Sequence, residues 1–495
     1  MSNENSTLIL IGAIVIGVIL YNLYMSLSLP AGIVLIIFIS VSTIIGLVYF
    51  WENHSKPGRE KKKTLQKLKQ LPKSLLLQSK DSVYMGEDKY LNAKIYLPDH
   101  IRSRHVHILG ATGSGKTESV ILNFLKQDVK RGLGSIILDA KGDNSFIDFL
   151  NSWVPLDRLK VFDLGSGQSL TYNPLEVGSP LEAAQRLFSS LVWSEEYYKS
   201  KALSTLQRLF ERHHKLNGEN PKLTDLNNYL DDPETFAASI TSEKYPKKMA
   251  EKDFSELSGL RDQIRSLCIG HLESSLSPNG NSDMDFSQAK EGAVLYFRLQ
   301  SLMSPQLVTI LGRLIINQLN YLAGTAHREN KANEAKLIPT YLDEFASFAC
   351  PEFADLISKA RSAGMALHFS HQSIGDLAEV SKGFLNRITD NSATKIVLRI
   401  NDPDSADFFA RSFGTELYQK VTQRITNTEE IDLAEVVGEG SQREAHQFRA
   451  SPDLLKTLPT GVGAVLIAHG EDTETGASSV FKVSFPRLQW SPMSP

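Results

Sequence analysis

The residues best suited to chemistry lie at 110–117, where Gly110-Ala111-Thr112-Gly113-Ser114-Gly115-Lys116-Thr117 fills the pattern G-x-x-x-x-G-K-[ST] in full. In that pattern the glycines let the backbone curl until several N–H groups converge on phosphate oxygens. The lysine then reaches the β- and γ-phosphates, and the final hydroxyl joins a Mg²⁺ ion. A helix read from Glu118 to Lys130 turns its positive end toward the same anion. The strand His105–Leu109 leads in, which is the context the pattern requires. A second segment, Leu337-Ile338-Pro339-Thr340-Tyr341-Leu342-Asp343-Glu344, is an apolar strand ending in two carboxylates. Asp343 is expected in the Mg²⁺ shell beside Thr117, and Glu344 as the general base that polarises the attacking water. The guanine-reading signature [NT]-K-x-D is missing, so the expected nucleotide is ATP.

Two further residues complete a hydrolytic set. The strand Ala366–Ser370 ends in His371-Gln372-Ser373, which puts an amide where it can sense the γ-phosphate or orient water; a polar strand end is the plainer reading of Gln372. Arg361 closes the helix after Glu344 and is a candidate arginine finger acting on a neighbouring subunit's nucleotide. Its plainer reading is a solvated helix C-terminus favoured by the helix dipole. Other clusters carry less. His105 and His107 alternate like a metal pair but lack a third ligand, so packing is expected. His213-His214 lie on a polar helical stretch and read as surface, and Lys244, Lys247, Lys248 and Lys252 read as a solvated face with DNA contact as the sharper option. Cys268 and Cys350 are the only cysteines, which excludes a disulfide scaffold and argues against a cysteine-based zinc site.

The elements that must hold these residues follow from patterning. Besides the strands already named, apolar runs at Ser135–Asp139, Lys160–Asp163, Ala293–Leu299, Met365–Ser370, Lys395–Ile400 and Ala464–Ala468 alternate with helical patterns. Continuous Ile, Val and Leu runs of this kind indicate a mostly parallel sheet covered by helices on both faces. Between 180 and 276 strand-like runs vanish and helical spacing takes over (Leu203/Leu206/Phe210, Leu257/Leu260/Ile264), with helix starts at Thr224-Asp225 and Asp232-Pro233. The chain has 495 residues, 42% of them hydrophobic and 22% charged, as a globular protein of several domains would. Its formal charge of −3 excludes coating nucleic acid by bulk basicity, but not gripping it in a narrow channel.

The N-terminus departs from that average. Thr7–Met25 and Leu29–Trp51 contain no Lys, Arg, Asp or Glu, and each suits a bilayer core of about 30 Å. A secretory signal would need a basic start, whereas residues 1–7 offer only Glu4. Lys56, Arg59, Lys61, Lys62 and Lys63 follow the second span, so the positive-inside rule keeps that flank and both termini cytoplasmic.

With these segments assembled, the chain resembles the type IV secretion coupling proteins, the TraD/TraG-like family of conjugative DNA-transport ATPases. Carrying the resemblance are the N-terminal hairpin, HILGATGSGKTES at 107–119, ILDAKGD at 137–143, YLDEFASF at 341–348 and the spacing from Arg361 to HQSIGDL at 371–377, together spanning most of residues 1–470. The resemblance implies an α/β fold: a RecA-like P-loop NTPase core at 93–179 and 277–495, an inserted all-α domain at 180–276, a two-helix transmembrane hairpin at 1–55 and a basic connector at 56–92. It implies a homohexamer in the bacterial inner membrane that uses ATP and Mg²⁺ to move DNA, with a relaxase or relaxosome, toward type IV secretion channel components. It also gives Arg361 the role of a trans-acting finger and Gln372 that of a sensor, and it sets Asp139 and Lys141 near the nucleotide. This sequence departs from the family in its very short inter-span loop and in lacking a long acidic tail. A docking receptor without motor activity and an FtsK/HerA-like DNA translocase are the alternatives.

Overall fold

The computed structural model describes residues 64–193, 195–241, 245–302, 304–328, 336–422, 441–470 and 477–488, with residue 40 alone before them. The chain divides into Met1–Leu71 and Pro72–Pro495. In the first unit residues 64–70 are helical, and the expected membrane hairpin lies outside the described residues. Among the described residues no helix is long and apolar enough to cross a membrane.

The second unit is built on strands β1 (Ser82–Asp88), β2 (Ala93–Pro98), β3 (Val106–Leu109), β4 (Ser135–Asp139), β5 (Leu159–Asp163), β6 (Val294–Arg298), β7 (Ile338–Asp343), β8 (Met365–His371), β9 (Thr394–Val397), β10 (Thr415–Thr422), β11 (Ser441–Phe448), β12 (Val462–Ala468) and β13 (Ser478–Ser484). All but β10 and β11 form one 11-stranded sheet in the order β2-β1-β13-β12-β9-β3-β8-β7-β4-β6-β5. From β9 to β5 every neighbour runs parallel, and β12, β13, β1 and β2 extend the sheet antiparallel beyond β9. Strands β3, β4, β7, β8 and β9 are buried at every position, as strands covered on both faces are, even where β8 carries His368, Ser370 and His371. Their order brings the carboxyl ends of β3, β8 and β7 side by side.

Within the connector expected at 56–92, Ser82–Asp88 is β1, paired with β2 and β13. A bulge between Tyr84 and Gly86 breaks its alternation, which hides the strand from a period-of-two reading. The ribbon of β10 and β11 was likewise invisible: it is rich in Gln, Thr and Glu, and among the described residues its two strands pair only with each other.

Between β5 and β6 the described residues carry a succession of helices, from Pro180–Ser190 to His271–Leu276. Ser179 caps the first of these helices with Glu182 in a capping box, and Asp232 caps the one beginning at Pro233. The helix expected at Thr224 starts one residue earlier, at Leu223, with the Asp225 carboxylate accepting from the Lys222 backbone N–H (2.8 Å). His213 does not lie on the surface. It is 6% exposed, and its Nδ1 meets the Tyr229 hydroxyl at 2.7 Å. Leu187, Phe210 and Ile264 of this region belong to the same buried cluster as Ile136, Leu138 and Phe297 of the sheet, so helices and strands share one core.

Behind the phosphate loop sits a buried charge network. Asp128, near the end of the helix Leu122–Lys130, accepts two bonds from Arg102 (2.8 and 3.0 Å), one from Arg131 (2.7 Å) and one from the Tyr341 hydroxyl of β7. Burial alone would raise the Asp128 carboxyl, but Arg102 and Arg131 hold it below the usual carboxylate range. Asp128→Asn leaves the fully buried Arg102 with only the more distant Asp99 carboxylate (3.4 Å) as counter-charge, and we expect it to cost about 3 kcal/mol in urea denaturation. Arg102→Met with Asp128→Leu together should cost much less.

Candidate functional site

The phosphate loop leaves β3 at Gly110 and enters a helix whose first turn, Lys116–Ile121, is a π-helix that continues as Leu122–Lys130. Gly115 makes the turn at φ +100°, and a Cβ there would fall 2.9 Å from Ser119 Oγ, so only glycine fits. The loop is pinned from both neighbours of β3: Gly110 N–H donates to His371 O (3.3 Å) and Ala111 N–H to Arg399 O (2.8 Å). Lys116 is buried, with Nζ on Gly110 O (2.7 Å).

At the carboxyl end of β7, Asp343 Oδ2 accepts from Thr117 Oγ1 at 2.6 Å, and Oδ1 accepts from Ser370 Oγ and from Glu344 N–H (3.1 Å). Glu344 has φ +49°, a conformation that non-glycine residues hold only when their surroundings force it. Its carboxylate accepts from Gln372 Nε2 (3.2 Å), whose Oε1 accepts from Thr112 Oγ1 (3.0 Å). The chain Thr112–Gln372–Glu344 therefore closes over the loop from the β7 side. Burial raises the Glu344 carboxyl and Asp343 adds to this, while Lys116 and Gln372 oppose it. A carboxylate raised in this way is a stronger proton acceptor than an exposed one.

Asp139 stands opposite Asp343 across β4 and β7. It is 1% exposed and accepts from Lys141 N (2.9 Å), Gly142 N (3.0 Å) and the Tyr296 hydroxyl (2.8 Å). Burial, then the charge of Asp343, pushes it up to about 6. Among the described residues no group of three or more His, Cys, Asp or Glu has metal-holding geometry. The hydroxyl–carboxylate pair of Thr117 and Asp343 suits Mg²⁺, which binds through one or two protein oxygens and takes its remaining ligands from water and phosphate.

The loop residues Gly110 to Thr117, the exposed Glu118, Asp343, Glu344 and Gln372 thus come together at one end of the sheet. Arg361 does not join them. It lies in the turn Ala360–Ala363 before β8, exposed, where its charge is felt by His105 at the start of β3. The seven residues of β8 separate it from Gln372, roughly 20 Å at about 3.3 Å per residue.

The two strand histidines are packed inside the sheet. His105 has φ +70°, off the strand, and its Nδ1 accepts from Leu367 N (3.2 Å). His107 Nε2 meets His371 Nε2 at 2.6 Å, and His371 Nδ1 meets Ser373 O at 2.7 Å. A carbonyl only accepts, so His371 carries its proton on Nδ1 and takes the bond from His107 Nε2–H. His107 Nδ1 is then a bare, buried acceptor with no partner among the described residues. Sequence reasoning found neither this pair nor Ser370, because a histidine or serine inside an apolar strand looks the same wherever its side chain points.

A family model described as the TraM recognition site of TraD and TraG matches residues 338–459, and one described as the central domain of the helicase HerA matches residues 82–297. The type 4 coupling protein DotL of Legionella pneumophila is 24% identical over 447 residues, covering 75% of this chain and 56% of the relative. The chain thus spans about half the length of the curated relative it matches. Among solved structures, plasmid coupling protein TrwB in complex with ADP and Mg²⁺ aligns with a TM-score of 0.62 at 15% identity, over 85% of this chain and 92% of that one. VirB4 of Thermoanaerobacter pseudethanolicus aligns at 0.53 and 14% identity, over 83% and 98%. At such identities these structures speak for the fold: an α/β P-loop NTPase core with a large parallel sheet and helical insertions.

Proposed function

We propose that the chain, which is similar to type IV coupling proteins, is a member of that family and an ATPase that uses Mg-ATP hydrolysis to feed DNA into a type IV secretion channel. The observation that carries the reading is the 2.6 Å contact of Thr117 with Asp343, flanked by the Thr112–Gln372–Glu344 chain, because hydroxyl, carboxylate and general base then face one phosphate position. In this reading the loop amides and Lys116 hold the phosphates, and Thr117 with Asp343 holds Mg²⁺, which neutralises charge on them. Gln372 orients water, and Glu344 accepts its proton.

The position of Arg361 supports a ring. At the far end of β8 it is out of reach of its own phosphate loop, so a finger role requires a second copy, and a homohexamer closes that arrangement. The apolar runs at Thr7–Met25 and Leu29–Trp51 would anchor this ring in the bacterial inner membrane with both termini cytoplasmic. A relaxase or relaxosome bound to the DNA and the secretion channel components are the proposed partners, with the 180–276 helices as a docking face.

The test is phosphate release by the detergent-solubilised full chain with and without DNA. Hydrolysis stimulated several-fold by DNA is expected. Arg361→Ala should lower the rate about 10³-fold. Mixing Arg361→Ala chains with Lys116→Ala chains should restore part of it, since one copy then supplies the finger and the other the phosphate site. Hydrolysis indifferent to DNA, or mixed rings as dead as either parent, would turn the reading toward a docking receptor.

A further inference from the structure

The site described so far accounts for the phosphates and leaves the nucleoside unplaced. Three segments far apart in sequence meet beside the first turn of the phosphate-loop helix. Gly461, in the turn before β12, donates its N–H to Ser114 O (2.9 Å), Thr460 Oγ1 donates to Gly113 O (3.3 Å), and Phe485, just after β13, donates its N–H to Gly461 O (2.9 Å). Gly461 has φ +76°, and a Cβ there would lie 3.2 Å from Ser119 Oγ and 3.6 Å from Arg487 Nε. Arg487 is exposed, and among the described residues no carboxylate pairs with it.

The sheet order fixes which part of a nucleotide reaches this place. Glu344 and Gln372, at the ends of β7 and β8, mark the γ-phosphate side of β3. On the other side of β3 lie β9, β12 and β13. A triphosphate lying along the loop with its γ end at Glu344 therefore delivers its nucleoside toward Gly461 and Arg487. Resting on the ATPase reading above, we infer that Arg487 is the base-binding residue, its guanidinium stacking on the flat face of the purine over the Thr460–Gly461 turn. Of the turn's donors, the Gly461 N–H and the Thr460 hydroxyl are already committed to Ser114 and Gly113, which leaves the guanidinium face as the main contact offered to a base. Recognition by face alone makes the seat a purine site that barely separates adenine from guanine.

Calorimetry of the solubilised full chain with Mg²⁺ tests this, using ADP, GDP and inorganic tripolyphosphate as ligands. The wild type should bind ADP and GDP within about threefold of each other. Arg487→Ala should weaken both by about tenfold and leave tripolyphosphate unchanged. Arg487→Lys should behave like Arg487→Ala, because an ammonium keeps the charge without the planar face. Equal loss for tripolyphosphate, no loss for the nucleotides, rescue by lysine, or a preference for ADP above about 30-fold would each overturn the inference while leaving the phosphate site standing. A wild-type chain that binds none of the three ligands would overturn both.

Discussion

Glu344→Gln should reduce steady-state hydrolysis about 10³-fold while changing the dissociation constant for Mg-ATP by less than about threefold. The substitution keeps side-chain length, the φ of +49° and the backbone bond to Asp343, so the site's shape survives. It removes the one group placed to take a proton from water held by Gln372. The wild-type rate should also rise with pH through a value above the ordinary carboxylate range, because burial and Asp343 raise the Glu344 carboxyl and only its ionised form accepts a proton. That limb of the pH profile should vanish in the variant. Phosphate release read against pH, with nucleotide affinity by calorimetry, checks both; a glutamine variant within tenfold of wild type would remove Glu344 from the chemistry.

The second large effect is on stability in mild acid. His105, His107, His368 and His371 are all buried at the centre of the sheet. Burial holds His105 and His371 down to about 4, His368 to about 3 and His107 well below the usual imidazole value. The unfolded chain takes these protons near pH 6.5 and the folded chain does not, so stability is full above that pH and is lost as pH falls toward 4. Asp139 runs the other way. Raised to about 6, it keeps in the folded state a proton that the unfolded chain sheds near pH 4, which offsets about one of the four histidines between those values. These five groups alone contribute a slope near pH 5.5 on the order of 4 kcal/mol per pH unit, at roughly 1.4 kcal/mol per proton; His213, lowered by burial, adds to it and the raised Glu344 carboxyl subtracts from it. Urea midpoints at pH 7.0, 6.0 and 5.0 should fall steeply in that order. His107→Phe with His371→Leu should flatten the fall, whereas midpoints independent of pH would mean that these imidazoles are not buried and neutral.

What could be read without coordinates was whatever the chain encodes locally. The curl of 110–117 needs glycines at fixed places, and a strand buried on both faces needs an unbroken apolar run. Each leaves its mark in contiguous residues, so the eight parallel-core and β12 strand segments named from patterning each overlap an observed strand, with ends displaced by one to three residues in most of them. Asp343 and Glu344 were legible for the same reason, as charge at the end of such a run. The strands at the sheet's antiparallel margin, β1, β2 and β13, were not named, since a bulge or a half-exposed face dilutes the signal.

Where those pieces meet was settled by packing. Asp139 becomes a partner of Asp343 because β4 lies beside β7 in register, a neighbour relation between residues more than two hundred positions apart. Arg361 is separated from its own phosphate loop by the length of β8, and His107 finds His371 only because β3 and β8 are adjacent. Gly461 and Arg487 reach the loop from the far end of the chain in the same way. Spacing along a sequence fixes conformation over a few residues through sterics and hydrogen bonds. Which distant segments share a boundary depends on how apolar faces are buried against one another, and that is a property of the whole core.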